Sequence, residues 1–245
     1  MALKDEYANS GSYLFRWRSY IPLLFLPIVV LALKDFDYLG GSESLDHLWE
    51  VTCLAFGASG LLVRVLTVGY APAGTSGRNT KEQKAATLNT TGLYSIVRHP
   101  LYLGNFLIWL GVSLFPHLWW FALIAILAFW IYYERIMFAE EEFLRTKFGA
   151  AFEEWAAQTP AFIPNLRSWR SPTLAFSWKT ALAREYSTLF ATIVMFFFLE
   201  AAGDFFAGKM PHVDFGWLLL LAVGCVIYIL VRWMKKRKLL SVDGR

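Results

Sequence analysis

"LYLGNFLIWLGVSLFPHLWWFALIAILAFWIYY", residues 101–133, decides the fold class. It contains no Asp, Glu, Lys or Arg, and Pro116-His117 divides it into two apolar runs, 101–115 and 118–133. At the helical rise each run is roughly 23 Å long, short of the ~30 Å hydrocarbon core of a bilayer. Joined by so tight a turn, the two read as a short helical hairpin that enters a membrane and returns to the same side.

Working outward, four further apolar segments can be drawn, at 19–33, 48–70, 186–202 and 215–233. The whole chain is 57% hydrophobic and 18% aromatic, and its 17% charged residues fall below the about 25% usual for soluble domains. The expectation is an all-α, polytopic transmembrane protein of about six membrane segments. Lys and Arg alternate between the connections. Arg78, Lys81, Lys84 and Arg98 lie before the hairpin, and Arg135, Arg145, Lys147, Arg167, Arg170, Lys179 and Arg184 after it. The loops 34–47 and 203–214 hold only Lys34 and Lys209. Both termini then lie in the cytoplasm by the positive-inside rule, and a bacterial inner membrane is the expected location. Within the spans only Arg64 and Glu200 are candidates for pathway charges, both near segment ends, where long side chains reach back to water. The polar N-terminus has no small-residue cleavage site after a short apolar core, so no removed signal peptide is expected.

Several classes lose support. Net charge is +4, but the basic residues follow membrane topology and form no nucleic-acid patch. Cys53 and Cys225 sit alone inside apolar runs and read as packing residues. The four histidines have no HxxxH or HExxH spacing, so no metal site is expected.

The hairpin's open end is bracketed by polar residues. Arg98-His99 precede it, and Glu134-Arg135 and Glu140-Glu141-Glu142 follow it. Consecutive helical residues point about 100° apart, so three glutamates in a row should turn at least one carboxylate inward. The segment 140–157 repeats Leu144, Phe148, Phe152 and Trp155 at helical spacing, which predicts an amphipathic helix. A pocket holding both charge signs and many aromatics suits a zwitterionic, partly apolar ligand, and it should face the cytoplasm at the lipid border. The run 74–83, GTSGRNTKEQ, reads as a loop, with a lid over that pocket as the alternative.

"GLYSIVRHPLYLG", residues 92–104, followed by "EEEFLRTKFG", residues 140–149, closely resembles the isoprenylcysteine carboxyl methyltransferase and phospholipid methyltransferase superfamily of integral membrane enzymes. The matching positions are Gly92, Tyr94, Arg98, His99, Pro100, Tyr102 and Gly104, then Glu140, Glu141, Leu144, Phe148 and Gly149. The resemblance covers about residues 50–165. It implies S-adenosylmethionine as cofactor, held by Leu88, Asn89, Tyr94, His99, Pro100, Leu101, Tyr102, Glu140 and Glu141. Where the isoprenylcysteine enzymes place a substrate-contacting arginine this chain has Ile136, and Arg135 is one residue away. The two segments at 186–202 and 215–233 follow the motif and are absent from the common family core. They read either as a wall of a substrate tunnel or as a scaffold or dimer surface.

The expected organisation is an N-terminal arm and first membrane helix at 1–47, a methyltransferase core at 48–165, and a linker, two-helix hairpin and basic tail at 166–245. Methyl transfer to a carboxylate or phosphate needs alignment and no base, with Arg98 and Arg135 as positioning residues. Transfer to an amine needs a base, for which Glu134 or Glu142 are candidates. The expected partners are a bilayer and a membrane lipid or lipid-anchored acceptor. O-methylation of an anionic group, a lipid phosphate such as that of lipid A or a prenylcysteine carboxylate, is the leading reading. N-methylation of phosphatidylethanolamine, a sterol-reductase-like NADPH enzyme and a non-enzymatic scaffold remain as alternatives.

Overall fold

The computed structural model describes residues 2–18, 20, 24–34, 36, 40, 43–72, 74–75, 85–206, 214–242 and 244. The run 74–83, read as a loop with a lid as the alternative, falls mostly outside them. The described residues form an all-helical protein, and no strand occurs among them.

The helices are α1 (Leu3–Trp17), α2 (Leu26–Leu33), α3 (Glu43–Tyr70), α4 (Pro100–Leu114), α5 (Trp119–Phe148), α6 (Ala150–Gln158), α7 (Trp178–Phe206) and α8 (Phe215–Lys236). Among them α3, α5, α7 and α8 are long and apolar enough to cross a membrane, and α4 is a shorter apolar helix. The protein is therefore a polytopic helical membrane protein. The first expected span, 19–33, differs. It lies partly outside the described residues, and its helix α2 has eight residues, about 12 Å of rise.

The central hairpin exists, but its arms are unequal. α4 has 15 residues, whereas α5 has 30 and does not stop at Tyr133. Residues 134–148 contain neither Gly nor Pro and are rich in Glu, Phe and Arg, so nothing ends the helix. Gly149 ends it, with φ of 53° in the left-handed region and its N–H donated to the Arg145 carbonyl at 2.9 Å. The amphipathic segment 140–157 is thus split between the end of α5 and α6. Its apolar face persists across the break, with Phe152 and Trp155 buried and Glu153 and Glu154 exposed.

Small residues set how closely the helices approach. A Cβ on Gly60 would stand 2.4 Å from the Gly104 carbonyl oxygen, so α3 and α4 cross backbone to backbone. Gly11 does the same where α1 crosses α5: its Cβ would meet the Arg135 carbonyl oxygen at 2.0 Å. α1 lies along α5, burying Phe15 with Tyr102, Phe129, Tyr132 and Ile136. The Tyr7–Gly11–Phe15 spacing is what makes one face of this mixed-charge segment a packing face. At the other end of the bundle Leu33, Phe115, Phe196, Leu199 and Trp217 form a second apolar cluster.

Arg64 and Glu200 do not reach back to water as expected. Arg64 is paired with Glu185 on α7, with side chains 15% and 6% exposed. Glu200 is buried near Glu50, Asp204 and Asp46, and Asp46 Oδ1 lies 3.1 Å from His117 Nε2 in the hairpin turn. A partner within the bundle satisfies Arg64 and removes its need to snorkel, whereas the groups around Glu200 are themselves carboxylates.

Candidate functional site

The segment before α4 is held against the segment after α6. Gly92, at φ 60°, donates its N–H to the Arg170 carbonyl at 2.9 Å. Arg98 N–H and His99 N–H donate to the carbonyls of Pro160 and Ala161 at 2.9 and 3.2 Å, and Asn165 N–H to Ile96 O at 2.8 Å. The Trp155 indole donates to the Tyr94 carbonyl at 3.0 Å. The approach to α4 is therefore fixed by backbone bonds, and Pro100 stands at the helix start, where its missing N–H costs nothing.

That frame presents Arg98 and His99 to α5. Arg98 Nε and Nη2 donate to Glu141 Oε1 and Oε2 at 2.9 and 3.3 Å, and Nη1 to the carbonyls of Ala156 and Thr159 at 2.8 and 2.9 Å. His99 Nε2 lies 2.9 Å from Glu141 Oε1, and Nδ1 lies 3.7 Å from Glu140 Oε2. Burial alone pulls the His99 pKa down, but hydrogen bonds to Glu140 and Glu141 and the attraction of both carboxylates raise it above its ordinary 6.5. Burial also pushes the Tyr94 phenol up, with Glu140 adding to the effect. The imidazole of His99 stacks on Tyr102 at 5.6 Å, and Tyr102 is hydrogen-bonded to Glu140.

Behind these residues lies a cavity of about 770 Å³, within the usual size range of small-molecule sites. Leu88, Asn89, Tyr94, His99, Pro100, Leu101, Tyr102 and Glu140, all expected at the cofactor, line it. Glu141 does not; its carboxylate is turned to Arg98 and His99. Arg98 also lines the cavity, although its guanidinium is committed to Glu141 and two carbonyls. Glu134 and Arg135 do not line it. Glu134 is exposed, while Arg135 meets α1, with Nη1 3.3 Å from Ser10 Oγ and the guanidinium 5.1 Å from the Tyr7 ring. Consecutive residues turn about 100°, and on α5 the inward positions are Tyr133 and Glu140. Glu142 is likewise bound elsewhere, to Lys4 at 2.8 Å and Arg145 at 2.8 Å.

Sequence reasoning missed other lining groups: Arg18, Asn105, Tyr133, Arg184 and Glu185, as well as Arg64, which it assigned to the interface. A signal existed for Arg64, a lone guanidinium in an apolar run. None existed for its partner, because Glu185 lies just outside the segment drawn at 186–202. Away from the motif residues the cavity runs on between Ile108, Val112, Phe121, Ala125 and Met195. Along α4 it extends from Pro100 to Ser113, about 20 Å of helix rise.

The phospholipid methyltransferase family model matches residues 52–151. The chain is 34% identical to a nickel-cobalt-cadmium resistance protein of Alcaligenes xylosoxydans xylosoxydans, over 65% of this chain and 70% of that protein. It is 36% identical to a cobalt-zinc-cadmium resistance protein of Cupriavidus metallidurans, over 58% of this chain and 63% of that protein. With the protein-S-isoprenylcysteine O-methyltransferase of Schizosaccharomyces pombe it shares 32% identity, over 35% of this chain and 36% of that protein. The chain thus spans about two thirds of the two resistance proteins and about a third of the yeast enzyme. No solved structure matches it. Among the described residues, no group of three or more His, Cys, Asp or Glu is arranged to hold a metal ion.

Proposed function

Since the chain belongs to the integral membrane methyltransferase superfamily of the phospholipid and isoprenylcysteine enzymes, we propose that it uses S-adenosylmethionine to methylate the anionic head of a membrane amphiphile. The observation that carries this reading is the charge of the cavity wall. Among the described residues it presents Arg18, Arg64, Arg98 and Arg184 against Glu140 and Glu185, with Glu141 behind the wall offsetting Arg98, which leaves one cation in excess.

The residues fit the cofactor. Tyr94, Tyr102 and Trp155 line the motif-bearing end of the cavity and offer ring faces to a sulfonium. Glu140 can accept hydrogen bonds from ribose hydroxyls or the methionine ammonium. Phe143, Leu144 and Leu101 supply an apolar surface for a purine. Bound there, S-adenosylmethionine supplies an electrophilic methyl carbon on a sulfonium. His99 and Arg98 take their part indirectly, by fixing Glu141 and so the register of α4 against α5.

An arginine excess beside a cofactor of net positive charge favours an anionic acceptor and opposes an ammonium. A carboxylate or phosphate oxygen already holds the lone pair it must donate, so no proton has to move. The protein's contribution is then alignment and exclusion of water, which the apolar hairpin provides. The excess of Lys and Arg in 134–185 supports a cytoplasmic open end, with both termini on that side.

Incubating the purified protein with radiolabelled methyl donor and total bacterial lipid extract tests the acceptor. The proposal expects label in an acidic lipid fraction, as an ester released by base or as a phosphate methyl ester. Base-stable label confined to methylated phosphatidylethanolamine would replace it with N-methylation.

A further inference from the structure

Halfway along the cavity four helices contribute one polar side chain each to a connected belt. Arg64 of α3 forks onto Glu185 of α7, Nε to Oε2 at 2.7 Å and Nη2 to Oε1 at 3.0 Å. Its Nη1 donates to Asn105 Oδ1 of α4, and Asn105 Nδ2 donates to the Tyr133 hydroxyl of α5 at 2.8 Å. All four residues line the cavity. On the motif side of the belt Tyr133 packs on Tyr102 at 4.9 Å, and Tyr102 on His99. On the other side the lining turns apolar, with Ile108, Val112, Phe121, Ala125 and Met195. The hydroxyls there are satisfied within their own helices, Thr192 Oγ1 by the Thr188 carbonyl at 2.9 Å and Ser113 Oγ by that of Leu110 at 3.1 Å. The belt therefore divides a cofactor end from an apolar shaft.

A structural tie between α3 and α7 needs only the fork to Glu185. Arg64 offers more. A guanidinium has five N–H donors. One Nη1 hydrogen has no acceptor among the described residues, and one Nη2 hydrogen makes only the long contact to Thr188 Oγ1 at 3.4 Å. Glu185 takes the Nε/Nη2 edge of the guanidinium, which leaves the Nη1/Nη2 end outside its fork, an edge of the kind that fits a carboxylate or phosphate. Glu185 and Thr188 come from α7, beyond the residues 52–151 matched by the family model.

We propose that Arg64, oriented by Glu185 and Asn105, is the headgroup clamp for the methyl acceptor, and that the apolar shaft beyond it takes a single hydrocarbon chain. The acceptor class is an amphiphile with a compact carboxylate or phosphate head. This rests on reading the cavity as a methyl-transfer site, and it gives α7 a direct share in acceptor choice. Glu185 tempers the Arg64 charge, which keeps a buried cation tolerable between turnovers.

The test is photo-crosslinking of the detergent-purified full chain with three diazirine-bearing probes of matched chain length: an alkyl carboxylate, an alkyl phosphate and an alkylamine. Labelled residues are read by mass spectrometry. The clamp predicts that one or both anionic probes label the shaft wall around Val112, Phe121 or Met195, while the amine does not. It also predicts opposite effects from the two halves of the pair. Glu185→Gln keeps or raises anionic labelling, whereas Arg64→Met/Glu185→Gln, which leaves no unpaired buried charge, lowers it about tenfold. A merely structural bridge predicts equal loss in both variants. Equal loss, unchanged labelling in the double variant, or labelling by the amine at the level of the anions overturns the clamp. S-adenosylmethionine titration of the same preparations keeps the two readings apart. Retained cofactor binding with lost labelling isolates the clamp, and no cofactor binding in the parent protein refutes the methyl-transfer reading instead.

Discussion

His99 Nε2 lies 2.9 Å from Glu141 Oε1, which ties the residue that opens α4 to the polar continuation of α5. The same carboxylate takes the Arg98 fork. One glutamate thus holds together the two sequence motifs that bracket the hairpin.

Removing that glutamate should loosen the motif end of the bundle. Glu141→Ala leaves Arg98, only 17% exposed, without its carboxylate, a loss of about 2 kcal/mol for a hydrogen-bonded charge. Thermal unfolding in detergent should show a lowered midpoint for Glu141→Ala and a smaller drop for Glu141→Gln. Equal midpoints for parent and Glu141→Ala would refute the tie.

The His99 environment fixes the sign of a pH effect. Glu140 and Glu141 raise its pKa above 6.5 against the pull of burial. A raised folded pKa gives stability that is complete below the unfolded value and is lost as pH rises through the folded value. The unfolding midpoint should therefore fall as pH climbs from 6.5 through the folded pKa, and His99→Gln should flatten that stretch of the profile. An identical slope in both proteins would remove His99 as its source.

The α3–α4 crossing leaves no room for side chains. Gly104→Val would drive Cγ atoms onto Arg64 and the Gly60 carbonyl, already 2.6 and 2.8 Å from a Cβ. A destabilisation of about 1–3 kcal/mol is expected. Gly216→Ala, with nothing within 4 Å of its Cβ, serves as the neutral control in the same unfolding series.

Arg135 belongs to the α1 contact. Arg135→Ala should speed hydrogen exchange across residues 3–17, because its bond to Ser10 and its stacking over Tyr7 are lost. Cofactor affinity should stay unchanged. Faster exchange in 92–105 with intact α1 protection would contradict this placement.

Much of this was legible in the sequence, for a physical reason. Apolar runs of spanning length and a Pro-His turn report the membrane class directly, and the residues flanking the hairpin end at one place because a hairpin returns to its origin. Continuity was harder to read. Residues 134–139 separate the apolar run from the amphipathic segment 140–157 by polarity, yet no residue in them breaks a helix, so α5 runs unbroken to Gly149. The cavity lining on α7 was hidden for another reason. Arg64 and Glu185 are 121 positions apart, and the lone guanidinium in an apolar run does not say which distant carboxylate meets it. α1 was masked by its charges, since one packing face built on Tyr7, Gly11 and Phe15 is narrower than the apolar stripe that marks a core helix.

The central claim is that the cavity behind His99 and Glu140 holds S-adenosylmethionine. Calorimetric titration of S-adenosylmethionine into the purified full chain tests it most directly. The account predicts saturable binding at one site per chain, weakened about tenfold or more by Glu140→Ala. The absence of binding to the parent protein, or equal affinity in Glu140→Ala, would contradict it.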